Sequence, residues 1–510
     1  MKEKFLLFLI FFLAAALRIF LIFRDSVPFA YDMGRDLLWT KDIAFYHIPT
    51  LIGPAASIWG VYFGPFWFYF LSLPLVLGRG HPLSAVYATS IVILLTGFFA
   101  YFLFKNYLSK LYVLVLAVII LFSGTLINIS TFAFHANLLP LLTIVTIYFY
   151  FLAILRNSLY FALSLFMVSI MFHADPAPAV VFTIISILLF FIFKLYNSKN
   201  LLKMIVLPLV AYLIPFVPQI LFEFRNNFVE TKALVSYFMG GNPSLSGQLP
   251  FFDRIANRVV IFFDYFKTSF AGNNVIFALT FLIFILIGLY RFKKSNKSVN
   301  LNILFKINLL CLLLAFIIFT FLITVEIKTW YINGLTVIFA FLITFAVYSF
   351  RKFKLAILLL IIIYFFANIS PFFDSKKVNL SKRDPASLTN QLRAMDIIYL
   401  ESLKTSYSIY VFTPSIYDYN WQYLLWWKGV KLKKGLPLEF AYLPNKPDYV
   451  RNKQVYASTT STADTIYLII ENAKENEFYT KENWLNNFDG FEIVWQKDIN
   501  SAITVQKRAK

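Results

Sequence analysis

Long apolar runs alternate with short polar connections over the first 372 residues, and each run is long enough to cross about 30 Å of hydrocarbon as an α-helix. The pattern predicts eleven membrane spans, near residues 4–23, 84–104, 110–128, 138–155, 159–173, 177–195, 204–221, 273–290, 307–325, 331–349 and 355–372. A further run, residues 61–78, is rich in aromatic side chains and broken by Pro65 and Pro74. We expect this run to lie in the membrane interface instead of crossing the bilayer, because dense aromatics favour the headgroup region.

The first apolar run has the basic start and the small-residue patch, Ala14 to Ala16, of a signal peptide. It continues past that patch to Phe23, however, which is typical of an uncleaved membrane helix. Its two lysines, Lys2 and Lys4, predict a cytoplasmic amino terminus.

The basic connections set the orientation of the remaining spans. If residues 61–78 stay out of the bilayer, the basic connections all fall on the cytoplasmic side, as the positive-inside rule requires. These connections lie at 105–110, 156, 194–203, 291–306 and 351–354. The outer side then receives a long first loop at 24–83 and another loop at 222–272. All 4 histidines also fall there, so we expect binding or chemistry on the outer face.

The composition changes to that of a soluble domain from about residue 374. A helix is predicted near 385–402, and alternating apolar positions predict strands at 408–412 and 465–470. The sequence thus predicts a transmembrane domain at 1–372 and a small extracytoplasmic α/β domain at 373–510. An aromatic segment at 417–427 fits either core packing or an exposed surface that stacks on sugars or rests on the membrane.

Composition supports this fold class. The chain of 510 residues is 60% hydrophobic and only 14% charged, with a mean hydropathy of +0.71, which excludes a soluble globular protein. The net charge of +20 resides largely in the short connections and therefore sets membrane orientation; nucleic acid is not expected as a partner. The single cysteine, Cys311, lies in an apolar run, so no disulfide framework or thiolate metal site is expected. We expect a polytopic α-helical membrane protein of about eleven spans in the cell membrane.

One charged stretch, residues 24–57, interrupts the apolar pattern for much longer than a tight turn. Its charged residues are Arg24, Asp25, Asp32, Arg35, Asp36, Lys41 and Asp42. In a helix, Asp32, Arg35 and Asp36 share one face because they are spaced at i, i+3 and i+4. The alternative is a solvated loop whose charges only keep it out of the bilayer.

Three segments carry a resemblance to a known family. They are Tyr31-Asp-Met-Gly-Arg-Asp36 with the Gly60-Val-Tyr-Phe-Gly-Pro65 run that follows, Phe134-His-Ala-Asn-Leu-Leu-Pro140, and Phe222-Glu-Phe-Arg225. The sequences of these segments resemble those of the bacterial membrane glycosyltransferases of family 39. That family is similar to the protein O-mannosyltransferases and to the aminoarabinose transferases that modify lipid A. The resemblance covers about the first 240 residues and implies a GT-C fold.

The resemblance also implies an activity: transfer of a sugar from a polyprenyl-phosphate donor to an acceptor at the outer face, with inversion. Asp32 stands where the family places its general base. A carboxylate within about 3 Å of the acceptor hydroxyl could take its proton. Many relatives carry a second acid where this chain has Met33, so no role carries over to that position.

A lipid phosphate that leaves during transfer needs cationic donors, and arginine suits it best. Arg225 is the first candidate for donor-phosphate binding, followed by Lys232 and Arg35. Two alternatives stay open: Arg225 could simply reach toward lipid headgroups, and Arg35 could form an ion pair with Asp32 or Asp36.

Substrate-binding roles are predicted for polar residues of the outer loops, namely Asp36, His135, Asn137, His173 and Asp175. For Asp175, which precedes Pro176, capping of a helix is the alternative. The histidines and carboxylates could in principle hold a divalent cation, but they share no ligand spacing, and no obligatory metal or cofactor is expected.

Two other functions compete with the transferase hypothesis. One is a transporter or lipid flippase; such proteins typically place ionisable groups in mid-membrane, whereas here Arg18 is the main one. The other is a non-catalytic envelope assembly protein. The sequence leaves the sugar open, and the acceptor could be a glycan, a lipid or a protein.

Overall fold

The structure is a computed structural model. It describes residues 2–24, 27–56, 58–157, 159–196, 201–239, 250–323, 326–375, 382–402, 406–415, 417–438, 440–441, 463–475, 477 and 479–510. Asp25, in the predicted charged stretch, lies outside these residues, as do residues 240–249 of the predicted outer loop 222–272.

Helices account for most of the chain up to residue 373. They are α1 (Lys2–Phe23), α2 (Tyr31–Tyr46), α3 (Phe66–Leu77), α4 (Leu83–Phe104), α5 (Lys110–Leu121), α6 (Gly124–Ile129), α7 (Leu139–Leu155), α8 (Leu159–Ala174), α9 (Pro176–Ile192), α10 (Leu201–Leu213), α11 (Val217–Arg225), α12 (Val229–Met239), α13 (Phe251–Phe270), α14 (Val275–Ser295), α15 (Val299–Phe321), α16 (Leu335–Ser349) and α17 (Lys354–Ile369). The described part of the predicted loop 222–272 thus includes the end of α11 and the helices α12 and α13.

Among the described residues, seven helical segments are long and apolar enough to cross a membrane. They are Glu3–Phe23, Leu83–Phe104, His135–Leu155, Ile205–Arg225, Val275–Ser295, Val299–Phe321 and Lys354–Phe373. Each coincides with a predicted span, and the chain is a polytopic α-helical membrane protein. The other four predicted spans correspond to shorter apolar helices, α5, α8, α9 and α16. The predicted span 110–128 is interrupted after Leu121, where α5 ends before α6 begins at Gly124.

A small α/β domain follows, as predicted. Its helices are α18 (Leu388–Glu401), α19 (Tyr419–Leu425), which continues as a π-helical turn (Trp426–Lys431), and α20 (Lys481–Leu485). Its strands are β1 (Tyr407–Phe412), β2 (Phe440–Ala441), β3 (Thr465–Glu471), β4 (Glu492–Ile499) and β5 (Ile503–Ala509). The sheet order is β2-β1-β3-β5-β4; β1 is parallel to β2 and β3, and β5 is antiparallel to β3 and β4. Apolar residues of β1 and β3 pack against Trp484 and Phe488 in its core.

The chain divides into two compact units that are not continuous in sequence. The first comprises Met1–Arg18, Thr50–Tyr69 and Ala88–Pro371, and the second comprises Ile19–Pro49, Phe70–Tyr87 and Phe372–Lys510. The second unit therefore combines α2 with the carboxyl-terminal α/β domain. The predicted domains, divided at residue 372, stay a prediction about which segments fold on their own.

Within the second unit, α2 packs directly on α19. A Cβ atom at Gly34 would lie 2.2 Å from the backbone nitrogen of Asn420, so only glycine permits this approach. The chain entering α2 is also fixed, because Pro28 forms an antiparallel bridge with Ser387 at the start of α18. The helix that carries Asp32 is thus an integral part of this unit.

The tight approach at Gly34 predicts a large effect of a single methyl group. Gly34→Ala should lower the melting temperature of the purified protein, because separating α2 from α19 costs about 1–3 kcal/mol. Gly490→Ala is the matched control, since a Cβ there meets nothing within 4 Å. Differential scanning fluorimetry in detergent would compare the two, and equal melting temperatures would contradict this account of the packing.

Candidate functional site

Three charged side chains of α2 form one ion-pair group. Arg35 Nη1 lies 3.0 Å from Asp32 Oδ1, and Arg35 Nη2 and Nε lie 2.8 and 3.0 Å from Asp36 Oδ1. The side chain of Asp36 is buried, whereas that of Asp32 remains 38% exposed. The predicted shared helix face is therefore present, and the more accessible carboxylate is that of Asp32.

Arg35 holds the two carboxylates together. Burial alone would lower the pKa of its guanidinium, but Asp36 and Asp32 raise it, so the group stays charged. The sequence predicts either phosphate binding or an ion pair for Arg35, and the structure contains the ion pair, with both Asp32 and Asp36. Phosphate binding by Arg35 stays a prediction, and it would have to compete with two carboxylates for the same guanidinium.

Aromatic rings lie beside Asp32. The ring of Tyr31 stacks on Tyr417 with centroids 6.0 Å apart, and Tyr417 stacks on Tyr419 at 5.7 Å. The larger rings farther along this segment are buried: Trp421, Tyr423, Trp426 and Trp427. Core packing is thus the role of the buried rings, and only the tyrosines next to α2 are partly exposed.

In the first unit, the predicted binding residues His135, Asn137, His173 and Asp175 are all buried. Asp175 caps α9, because its Oδ1 accepts a hydrogen bond of 3.0 Å from the backbone N–H of Ala177. The capping alternative is therefore confirmed. Burial raises the pKa of the Asp175 carboxyl to about 7, although hydrogen bonds from Ala177 and Trp330 lower it. Substrate binding by Asp175 stays a prediction.

His173 contacts the backbone on both sides of its ring. Its Nδ1 accepts from the N–H of Phe66 at 3.3 Å, and its Nε2 lies 3.0 Å from the carbonyl oxygen of Pro215. The first contact needs an acceptor nitrogen and the second a donor, so the ring is neutral with its proton on Nε2. Gly64 lies against the same ring, where a Cβ would be 2.1 Å from Nδ1.

His135 and Asn137 lie in the 3₁₀ turn His135–Leu138 before α7. The His135 Nδ1 contacts the carbonyl oxygen of Ala174, next to His173 and Asp175 in sequence. The Asn137 side chain donates to two backbone carbonyl oxygens, those of Ile129 and Phe132, at 2.9 and 3.0 Å. Its Oδ1 is buried and has no hydrogen-bond partner in the part of the chain that the structure describes. Both side chains organise the loop before α7, and their binding roles stay predictions.

Sequence reasoning missed Glu230, in the first turn of α12. Its carboxyl is buried, and Oε1 accepts a hydrogen bond of 3.0 Å from the backbone N–H of Tyr62. Gln219 donates to the carbonyl oxygen of the same Tyr62 at 3.1 Å. Burial, together with the nearby Glu223 carboxylate, raises the pKa of Glu230 to about 7, although the hydrogen bond from Tyr62 lowers it. The available signal was weak: an acidic residue in a polar connection normally faces water.

The two remaining phosphate-binding candidates are exposed. Arg225 is the last residue of α11, and Lys232 lies in the next helix, α12. Neither side chain is fixed by a hydrogen bond or ion pair with the described residues. Both belong to the first unit, whereas Asp32 belongs to the second. Over the described residues, no group of three or more histidines, cysteines or carboxylates is arranged to hold a metal ion.

No family model and no curated protein matches the sequence. Solved structures do. ArnT from Cupriavidus metallidurans bound to undecaprenyl phosphate matches over 97% of both chains at 10% identity, with a TM-score of 0.59. The apo state of ArnT matches over the same 97%, also at 10% identity, with a TM-score of 0.58. An oligosaccharyltransferase from Archaeoglobus fulgidus, solved with Zn and sulfate, is 12% identical over 91% of this chain and 68% of that one, with a lower TM-score of 0.45.

The two ArnT matches show the fold. The chain has the GT-C architecture of ArnT, including its carboxyl-terminal part, because the match extends over nearly the whole length of both proteins. The fold expected from the family resemblance is therefore confirmed.

The buried Glu230 carboxyl predicts a stability effect that depends on pH. Its pKa is about 7 in the folded protein, against an ordinary value of 4.5, so the folded state keeps a proton that the unfolded chain has released. Stability should fall as pH rises from about 4.5 to 7 and stay low above that. Glu230→Gln keeps an acceptor for Tyr62 and removes the charge, so it should match the parent protein at pH 5 and exceed it at pH 8 by about 1–3 kcal/mol.

Melting temperatures across this pH range would test the expectation. Glu326→Gln, which neutralises an exposed carboxylate, is the matched control and should run parallel to the parent protein. If the melting temperatures of Glu230→Gln also changed with pH in parallel with those of the parent protein, the Glu230 carboxyl would not be desolvated in the folded state.

Proposed function

We propose that the chain is an inverting membrane glycosyltransferase. It moves a sugar from a polyprenyl-phosphate-linked donor to an acceptor on the outer face of the membrane, with Asp32 as general base. One observation carries the proposal: the chain shares its fold, over 97% of its length, with ArnT, which was solved bound to undecaprenyl phosphate, a polyprenyl phosphate.

The geometry of α2 supports the role of Asp32. Its carboxylate is partly exposed, whereas the neighbouring Asp36 is buried. Arg35 holds both carboxylates through ion pairs and so fixes their orientation, and a base must be oriented toward the acceptor before it can take its proton. Of this ion-pair group, Asp32 is the carboxylate that a substrate could reach.

The proposed reaction is a single displacement at the anomeric carbon of the donor sugar. Asp32 takes the proton of the acceptor hydroxyl as that oxygen attacks the anomeric carbon. The bond from the anomeric carbon to the phosphate oxygen breaks, and its electron pair leaves with the polyprenyl phosphate. Attack from the side opposite the leaving group inverts the anomeric configuration.

Arg225 and Lys232 are proposed to neutralise the departing phosphate. Both are exposed cations close in sequence, at the end of α11 and within α12, and an unpaired guanidinium can bind two phosphate oxygens at once. With these cations the reaction needs no obligatory metal.

The hydroxyl acceptor belongs to a glycan, a lipid or a protein of the cell envelope. Five further polar residues are proposed to contribute to substrate binding: Asp36, His135, Asn137, His173 and Asp175.

The proposed orientation follows from charge. The basic connections favour a cytoplasmic amino terminus, and with it a position of α2 and the α/β domain on the outer side of the cell membrane. Lipid-linked sugar is then consumed on that side.

Replacing the proposed base tests the mechanism most directly. Asp32→Asn should lower the release of polyprenyl phosphate from lipid-linked sugar donors by about 100-fold or more, since general base catalysis contributes that much. Donor binding should persist. Glu492→Gln, which changes an exposed carboxylate at the start of β4, serves as the control and should leave turnover unchanged. Normal turnover by Asp32→Asn would remove this residue from the mechanism.

A second variant tests the phosphate site. Arg225→Ala should weaken binding of undecaprenyl phosphate by about tenfold, because a hydrogen bond to a charged group contributes about 1.5–3 kcal/mol. Arg291→Ala removes an exposed arginine near the end of α14 and should leave the affinity unchanged. Titration of the lipid followed by native mass spectrometry measures both. Equal affinities for the two variants would assign Arg225 to headgroup contact only.

A further inference from the structure

A basic loop, residues 428–436, follows α19 in the second unit. Three of its lysines are exposed: Lys431, Lys433 and Lys434. Three large apolar side chains alternate with them and are also exposed: Val430 by 41%, Leu432 by 44% and Leu436 by 38%. Exposed lysines interleaved with exposed aliphatic side chains are typical of segments that bind at a membrane surface.

The basic loop is held in one shape. The N–H of Lys434 donates to the carbonyl oxygen of Lys428 at 3.2 Å, and the N–H of Gly435 donates to that of Gly429 at 3.1 Å. Gly435 has a φ of +85°, which favours glycine, and Tyr399 donates to its carbonyl oxygen at 3.2 Å. The lysines are thus presented by an ordered turn, which lowers the entropy lost when a partner binds.

Contacts within the same unit place this loop at a membrane boundary. Tyr423 donates to the carbonyl oxygen of Gly80 at 2.7 Å, and the Trp427 indole donates to that of Arg79 at 3.3 Å. The ring of His81 lies against Trp427 with centroids 4.7 Å apart. These three residues form the turn between the apolar helices α3 and α4, and α4 is long enough to cross the membrane. A turn between two apolar helices lies where the hydrocarbon ends, so the attached basic loop lies at headgroup depth.

The exposed lysines of the loop differ from the buried Lys428 in their ion pairing. Lys428, which is buried, pairs with Asp396. Within the described ranges, by contrast, none of the three exposed lysines forms a salt bridge. The ammonium group of Lys431 lies over the Phe45 ring of α2, 3.9 Å from its centroid, and that of Lys434 lies 5.9 Å from the ring centroid of Tyr399, while both residues stay exposed.

We propose that the basic loop binds the headgroups of anionic phospholipids. The three ammonium groups pair with lipid phosphates, and the aliphatic side chains enter the boundary between headgroups and acyl chains. This contact fastens the α/β domain to the membrane surface next to the turn 78–82. It is a second membrane attachment, separate from the apolar helices and independent of the proposed sugar transfer.

Depth-dependent quenching tests this contact in the full-length protein. Leu432→Cys, made in a Cys311→Ser background so that it is the only cysteine, would carry a fluorophore. The protein is reconstituted in nanodiscs of phosphatidylcholine and phosphatidylglycerol, and bromine is placed on the acyl chains of one lipid or the other. Brominated phosphatidylglycerol should quench several-fold more than brominated phosphatidylcholine. The triple variant Lys431→Gln, Lys433→Gln, Lys434→Gln should abolish this preference, since each lysine contributes about fivefold in affinity.

The control is a triple variant of other exposed lysines, Lys293→Gln, Lys294→Gln and Lys297→Gln at the end of α14, which should retain the preference. Equal quenching by the two lipids, no quenching by either, or a preference that survives loss of the three loop lysines would each overturn the proposal. So would loss of the preference in inorganic phosphate but not in sodium chloride of equal ionic strength, because that result identifies a site for small anions.

Discussion

The close approach of α2 to α19 is the constraint on which the second unit depends. At Gly34 the two backbones are so near that a single methyl group would meet Asn420. Two other features accompany this contact: the stacking of Tyr31 on Tyr417, and the placement of Asp32 beside these rings. A short charged helix has little stability alone. In this protein the packing of α2 on α19 stabilises the helix, so the charged segment between the apolar runs is well ordered.

In the first unit, side chains of several helices form hydrogen bonds with backbone groups of the segment that leads into α3. Glu230 and Gln219 bind the two polar backbone groups of Tyr62, and His173 binds the N–H of Phe66. Buried backbone groups must be paired, and this segment pairs only some of them with itself, as in the hydrogen bond of 2.7 Å from Gly53 N–H to the carbonyl oxygen of Phe63. The same need explains Arg18, which is buried in α1 and donates to carbonyl oxygens of Ala14 and Leu121. These buried polar side chains therefore supply hydrogen-bond partners for backbone groups of the unit.

The hydrophobic pattern predicts the helices well, because a membrane helix must pair its own backbone groups along an apolar length. It does not predict where a helix breaks. The break after Leu121 is associated with Gly124, where a Cβ would lie 2.4 Å from the carbonyl oxygen of Thr268, a contact far away in sequence. The spacing of Asp32, Arg35 and Asp36 predicts their shared face but not how Arg35 is engaged. Glu230 was missed for the same reason as the break: Tyr62, which it binds, lies 168 residues earlier in the chain.

The buried carboxyl at the end of β3 has a consequence for engineering. Glu471 accepts from the Trp421 indole and from the Thr413 hydroxyl, each at 2.7 Å, and thereby ties α19 to the sheet. Because α19 in turn supports α2, a cut at residue 372 would separate two elements that pack directly on each other. A chimera with a related protein would have to exchange residues 27–46 and 78–87 together with the carboxyl-terminal segment. The surfaces that pack on each other would then come from the same protein.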